Sequence, residues 1–321
     1  LKHCVACANG TDALYVAMVS LGVSAGDEVI TSAHSWIATS ETITQAGGRV
    51  VFCDTDRDTY TIDCNRLESL VTPRTVGIIP VHLAGQAADM EAVMAFADKH
   101  RLWVIEDCAQ AHLARYKGRQ VGTFGAAATF SFYPGKNLGA MGDAGAIVTN
   151  DSALARRMAM FARHGGLTKG EHEIEGINSR LDGLQAAILS VKLRHLRDWT
   201  MARQQLANRY TVALGRIDGI DSPVVATGRE HVFHLYMVRH PRREALAAFL
   251  ARAGVQTSIN YPVALPFLSA YSRLGHLPEH FPNAFSNQSR ILSLPMFAEM
   301  TEDQLLRVVR SIEAFQEMGA S

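Results

Sequence analysis

Leu102-Trp103-Val104-Ile105-Glu106-Asp107 is an apolar, β-rich run that stops on two acids. Such a run reads as a strand buried on both faces, with its carboxyl end meeting solvent or a ligand. Upstream, Glu28 to Ser32, Arg49 to Cys53 and Thr75 to Pro80 read as strands of the same kind. Asp12 to Leu21, Ile37 to Gln45, Asn65 to Leu70 and Asp89 to His100 read as the helices between them. Alternation of this sort predicts an α/β fold with a large, mainly parallel sheet covered on both sides. Ligands then bind beyond the carboxyl ends of the strands, where Asp107 lies.

Strand signals continue at Ala127 to Phe132 and Gly145 to Thr149, and Asp151 is placed to cap a helix reaching Ala162. A charged, glycine-containing loop covers Arg163 to Asn178. Leu184 to Arg209 reads as one long amphipathic helix with apolar Ile188, Leu189, Val191, Leu193 and Leu196, leading out of the large unit. After Gly219 the pattern becomes a smaller α+β unit. Its strands are expected at His231 to Arg239 and Gln256 to Tyr261, its helices at Ala245 to Ala253 and Glu302 to Phe315. The expected division is a large domain over residues 1–195 and a smaller one over 196–321.

Composition narrows the function classes. Lys+Arg and Asp+Glu are both 31, so no global charge imbalance points to nucleic acid or a membrane surface. No apolar run approaches the roughly 20 residues that span a bilayer. Five sparse cysteines argue for a reducing cytoplasm rather than a disulfide framework. Cys4 and Cys7 read as two small core thiols, and no metal site is expected. The chain opens at Leu1 inside a strand signal, so an N-terminal portion is expected to be absent.

The chemistry is carried by Phe130-Ser131-Phe132-Tyr133-Pro134-Gly135-Lys136-Asn137-Leu138-Gly139. A lone turn lysine is ordinarily a solvated cation. Behind a strand ending in an aspartate, with a serine in the same turn, it matches what pyridoxal phosphate requires. Asn9-Gly10-Thr11-Asp12 opens a helix, where backbone amides and a threonine hydroxyl can receive an anion; simple capping by Thr11 is the plainer reading. Trp36 begins the next helix and could lie on a planar ring or pack half-buried. Gly139, Gly142 and Gly145 precede a strand rather than opening a helix, so they are no dinucleotide fingerprint.

With Glu106-Asp107-Cys108-Ala109-Gln110-Ala111-His112, the Ser131 to Gly139 run and Asn178-Ser179-Arg180-Leu181-Asp182 in order, the chain resembles the sugar aminotransferases named after DegT, DnrJ, EryC1 and StrS. Pro80 to Gln86 and Leu292 to Pro295 extend the resemblance over essentially the whole length. It implies a fold-type-I, aspartate-aminotransferase-like architecture with pyridoxal 5′-phosphate as cofactor. It further implies Lys136 as the Schiff-base lysine, Asp107 as partner of the pyridine nitrogen and Gln110 beside the phenolic oxygen. Trp36 matches the stacking position, and Gly10, Thr11 and Ser131 match the phosphate cradle. Asn178 matches a residue delivered from a neighbouring subunit, which implies a homodimer.

Ala126, Leu113 and Ala144 depart from the usual family pattern without touching that constellation. Asn260 stands where many relatives have histidine, in a segment that borders the sugar pocket. Tyr133, His82 and His112 are candidates for sugar contact or for support behind the site, and Arg180 for an oxyanion. The resemblance implies transfer of an amino group from L-glutamate to a nucleotide-linked keto-deoxysugar, with a dTDP-3-keto-6-deoxyhexose the nearest pattern. A 4-keto sugar, a scyllo-inosose-type cyclitol and a cofactor-binding regulatory protein are the alternatives.

Overall fold

The structure, a computed structural model, describes residues 1–320. In chain order its strands are β1 (His3–Cys7), β2 (Glu28–Ser32), β3 (Arg49–Cys53), β4 (Thr75–Ile79), β5 (Trp103–Asp107), β6 (Arg115–Tyr116), β7 (Arg119–Gln120), β8 (Ala127–Ser131), β9 (Gly145–Thr149), β10 (Arg229–Glu230), β11 (Tyr236–Arg239) and β12 (Ile291–Leu294). The helices are α1 (Gly10–Ser20), α2 (Ala38–Gln45), α3 (Met90–His100), α4 (Ser152–Phe161), α5 (Gly183–Leu193), α6 (Leu196–Leu214), α7 (Arg243–Arg252), α8 (Pro282–Gln288) and α9 (Glu302–Ala320). Seven strands form the main sheet in the order β1-β9-β8-β5-β4-β2-β3. From β3 to β8 the pairings are parallel, and β9 runs against both of its neighbours.

Successive side chains of the central strands go to opposite cores. Val29, Ile79 and Ile105 pack with Leu14, Met18, Leu154 and Met158 of α1 and α4, whereas Ile30, Ile78 and Val104 pack with Met90, Val93 and Phe96 of α3. Both faces are therefore dry, which is why these strands read as continuous apolar runs.

A second core joins α6, α7 and α9 to β11 and β12 through Tyr210, Tyr236, Leu246, Leu292 and Ile312. Residues between the two β-strands of this unit return to the large core, where Ala264, Leu265, Tyr271, Phe281 and Ala284 are buried. Among the described residues no helix is long and apolar enough to cross a membrane.

Several elements differ from the expectation. The long helix breaks at Arg194 and His195, whose amides reach back only three residues, to Val191 and Lys192. That tightened turn lets Leu189 of α5 and Leu196 of α6 share one small core with Leu138, Ala140 and Ala144. Cys64–Ser69 is a 3-10 turn capped by the Asp63 side chain. Residues 231–235 are not strand, because Val232 and Leu235 donate to the Gly85 and Ala84 carbonyls instead of to a ladder. Gln256 to Tyr261 contributes only the bridge between Ser258 and Ser293, and the true partner of β11 is β12. Cys7 is buried, but Cys4 faces outward on the edge strand β1, so only one of that pair is a core thiol.

Candidate active site

A cleft of about 770 Å³ opens over the carboxyl ends of β5 and β8. It brings together Gly10, Thr11, Trp36, Asp107, Gln110, Ser131, Tyr133, Lys136 and Asn260, nine of the residues singled out from sequence.

Asp107 ends β5 and is 5% exposed. Its Oδ2 accepts from the Thr39 hydroxyl at 2.8 Å and its Oδ1 from the Ala109 amide at 3.1 Å. Thr39 is braced in turn by the Ser35 hydroxyl at 3.1 Å. Behind the strand, Glu106 points away from the cleft into a fully dry site. Its carboxylate accepts from the amides of Gly122, Phe124 and Gly125 and lies 3.1 Å from His82 Nε2. Burial works against the charge on Glu106, yet the bonds from His82 and the loop amides hold its carboxyl below the usual range. His82 also accepts at Nδ1 from the Ala88 amide, 3.0 Å away. Both of its nitrogens are thus spent, and it lines no part of the cleft. His82 therefore sits behind β5, the second of the two placements that its sequence context allowed.

The phosphate-type cradle is built by close approach. Asn9 caps α1 by accepting from the Asp12 amide at 2.7 Å, so the cap is Asn9 and not Thr11. Among the described residues the Gly10 and Thr11 amides have no acceptor, which leaves two donors at a helix N-terminus. A Cβ on Gly10 would sit 2.6 Å from that of Ser131, and one on Gly145 would strike the Asn9 carbonyl. Glycine at both positions is what lets α1 press against the end of β8.

Lys136 sits in the turn closed by its own amide on the Tyr133 carbonyl, 2.8 Å. Burial pushes its pKa down and the Asp107 charge opposes that, leaving it below the ordinary lysine value. His112 is packed between Phe130 and Phe132, with ring centroids at 5.5 and 5.7 Å. Neither of its nitrogens has a well-formed hydrogen bond, and burial together with the Lys136 charge takes its pKa down to about 3. It is a packed neutral ring behind the lysine and lines no part of the cleft.

Two straps from the second half of the chain close the opposite wall. Gln110 accepts from the Ala84 amide at 2.6 Å and donates to the Tyr261 hydroxyl at 3.0 Å. The Tyr261 amide donates to His34 Nε2 at 2.8 Å, and its ring lies 5.4 Å from that of Trp36. Asn260 Oδ1 accepts from Ser258 and Ser293. Sequence reasoning did not single out Thr39, Tyr261 or His234. Tyr261 adjoins the flagged Asn260, and Thr39 lies one helical turn beyond Trp36. His234 carries no local signal. Asn178 and Arg180 are exposed and lie outside this cleft.

These donors suit pyridoxal phosphate: a rigid carboxylate, a depressed lysine, an exposed indole and a helix N-terminus too tight for any side chain. A model of the DegT/DnrJ/EryC1/StrS aminotransferase family matches residues 1–313. The chain belongs to that family. This aminotransferase is 47% identical to a pleiotropic regulatory protein of Geobacillus stearothermophilus, over 98% of the chain and 85% of that protein. It is 43% identical to the dTDP-3-amino-3,6-dideoxy-alpha-D-galactopyranose transaminase of Aneurinibacillus thermoaerophilus, over 98% and 86%. The crystal structure of DesV from S. venezuelae in complex with a ketimine intermediate superposes with a TM-score of 0.96 at 41% identity, covering 98% of this chain and 85% of that one. The architecture of this family member is accordingly the fold-type-I one that the resemblance implied.

Proposed function

We propose that this aminotransferase uses pyridoxal 5′-phosphate to move an amino group from L-glutamate to a dTDP-linked 3-keto-6-deoxyhexose. The observation that carries the reading is the placement of Asp107, Lys136 and the Gly10–Thr11–Ser131 cradle around one cleft. When bound, the cofactor supplies the electron sink that makes a carbon–hydrogen bond beside nitrogen acidic. Asp107 is the group that keeps the ring nitrogen protonated, with Thr39 and Ala109 fixing both of its oxygens. Gln110 would stand beside the phenolic oxygen, and Trp36 would offer its indole to the ring. Lys136 is the residue that would hold the cofactor covalently, and its free amine would hold or move the proton. Its depressed pKa leaves more of it as the free base near neutral pH.

A homodimer accompanies this reading. Helix α5 buries only Leu189, while Leu184, Val191 and Leu193 are 71%, 60% and 56% exposed. A second copy would cover that apolar face and would receive Asn178 and Arg180 in its own cleft. The C3-amino product named for the Aneurinibacillus relative favours the 3-keto substrate over a 4-keto sugar or a cyclitol.

The test is the visible spectrum of the cofactor-loaded protein before and after L-glutamate. Wild type is expected to convert to the pyridoxamine form, and Lys136→Ala to lose turnover by about 10³-fold or more. An unchanged spectrum with glutamate in wild type would remove the donor assignment. Full turnover by the variant would remove the lysine's role.

A further inference from the structure

Among the cleft residues, His234 is held with unusual definition. Its Nδ1 lies 3.1 Å from Asn137 Oδ1, and Asn137 Nδ2 donates to the Val232 carbonyl at 3.3 Å. A carbonyl can only accept, so the amide nitrogen of Asn137 must face Val232 and its oxygen must face the imidazole. The proton therefore sits on Nδ1, and Nε2 is left as a lone pair. Among the described residues Nε2 has no hydrogen-bond partner, and the ring lines the cleft beside Lys136. Burial, with Lys136, Arg203, His112 and His231 around it, holds the imidazole well below its usual pKa and hence neutral.

The backbone beneath the ring is equally constrained. Arg203 donates to the carbonyls of Phe233, His234 and Met296 at 3.1, 3.4 and 2.9 Å. Val232 and Leu235 donate to Gly85 and Ala84. A Cβ on Gly85 would come within 2.8 Å of Val232 and 3.0 Å of the His234 amide, so the strap sits directly on that glycine. Asn137 follows Lys136 directly in the chain, so the anchor of the imidazole lies in the same turn as the lysine.

We propose that His234 is a substrate-orienting residue whose Nε2 accepts a hydrogen bond from a hydroxyl of the sugar bound beside Lys136. This rests on the sugar-nucleotide reading above. An acceptor with no proton cannot engage a phosphate oxygen, so the diphosphate is excluded as its partner. The groups that would face the cofactor, Asp107, Gln110 and Trp36, come from elements of the first half of the chain, and the strap side chain His234 is assigned to the sugar ring.

The experiment is equilibrium titration of the protein loaded with the cofactor in its pyridoxamine form, with dTDP and with dTDP-3-amino-3,6-dideoxy-α-D-galactose, for wild type, His234→Phe and His234→Gln. Loss of one hydrogen bond to a hydroxyl is expected to weaken the sugar nucleotide about tenfold in His234→Phe. Affinity for dTDP is expected to stay put, and His234→Gln, which restores an acceptor, to recover much of the loss. Equal affinities in all three proteins would overturn the assignment, as would a parallel loss for dTDP. Wild type that responds to L-glutamate yet binds the two nucleotides alike would overturn the sugar reading and His234's role together. Wild type that prefers the sugar nucleotide, with variants that match it, would overturn His234 alone.

Discussion

The two walls of the cleft are built on different principles. The sheet wall presents Asp107 and Ser131 from the ends of parallel neighbours β5 and β8, with Gly10 pressed against them from the N-terminus of α1. Its geometry follows from backbone ladders, and a fault there would propagate through the sheet. The strap wall presents His234, Leu235, Asn260 and Tyr261 from segments with no ladder of their own, fixed one hydrogen bond at a time. The lesson is a division of labour. Asp107 and Ser131 are held on strand ends, whereas the strap side chains are held where one can change without moving a ladder.

The sharpest way to break this contrast is Asp107→Asn. It keeps the shape and removes the charge, so turnover is expected to fall by about 10³-fold with little change in melting temperature. Single-turnover absorbance with L-glutamate would show it, and near-wild-type rates would mean that the sheet wall does not carry the chemistry.

Acid probes the packing behind both walls. His34, under the strap, is pushed down to about 4, and His112 and His231 to about 3, in each case by burial. The unfolded chain, with histidines near 6.5, takes up these protons first as the pH falls. Their stabilisation is therefore complete above about pH 6.5 and is lost progressively toward pH 4 to 3. At pH 5 the loss is about 2 kcal/mol for each ring. Urea unfolding at pH 7.5 and pH 5 measures it, and equal midpoints would contradict the burial of these rings.

The smallest expected effect belongs to the strap. Tyr261→Phe removes the acceptor for Gln110 Nε2 while keeping the ring beside Trp36. Cofactor affinity is expected to fall only about three- to tenfold, by fluorescence titration. A loss as large as that of Asp107→Asn would erase the distinction between the walls.

Much of the sheet wall was legible because its signals are local. The apolar run into Glu106-Asp107, the Ser131-to-Lys136 turn and the glycine at the start of α1 each show within a few residues the local structure that brings them to one cleft. The misreadings have equally specific causes. The break after Leu193 was invisible because the apolar periodicity continues through it; only the core shared by Leu189 and Leu196 calls for the tighter turn. For His82 the sequence left sugar contact and support behind the site both open, and the partners Glu106 and Ala88 on its two nitrogens favour support.

By itself, then, the chain's order of residues determined the parallel sheet, the acid and the lysine, because strand periodicity and turn chemistry act over short range. Only the tertiary structure decided which remote groups meet them. Thr39 reaches Asp107 across 68 positions, Tyr261 reaches Gln110 across 151 and His234 reaches Asn137 across 97. Contacts of that separation form because burying two cores brings the straps over the strand ends, and no window along the sequence records that convergence.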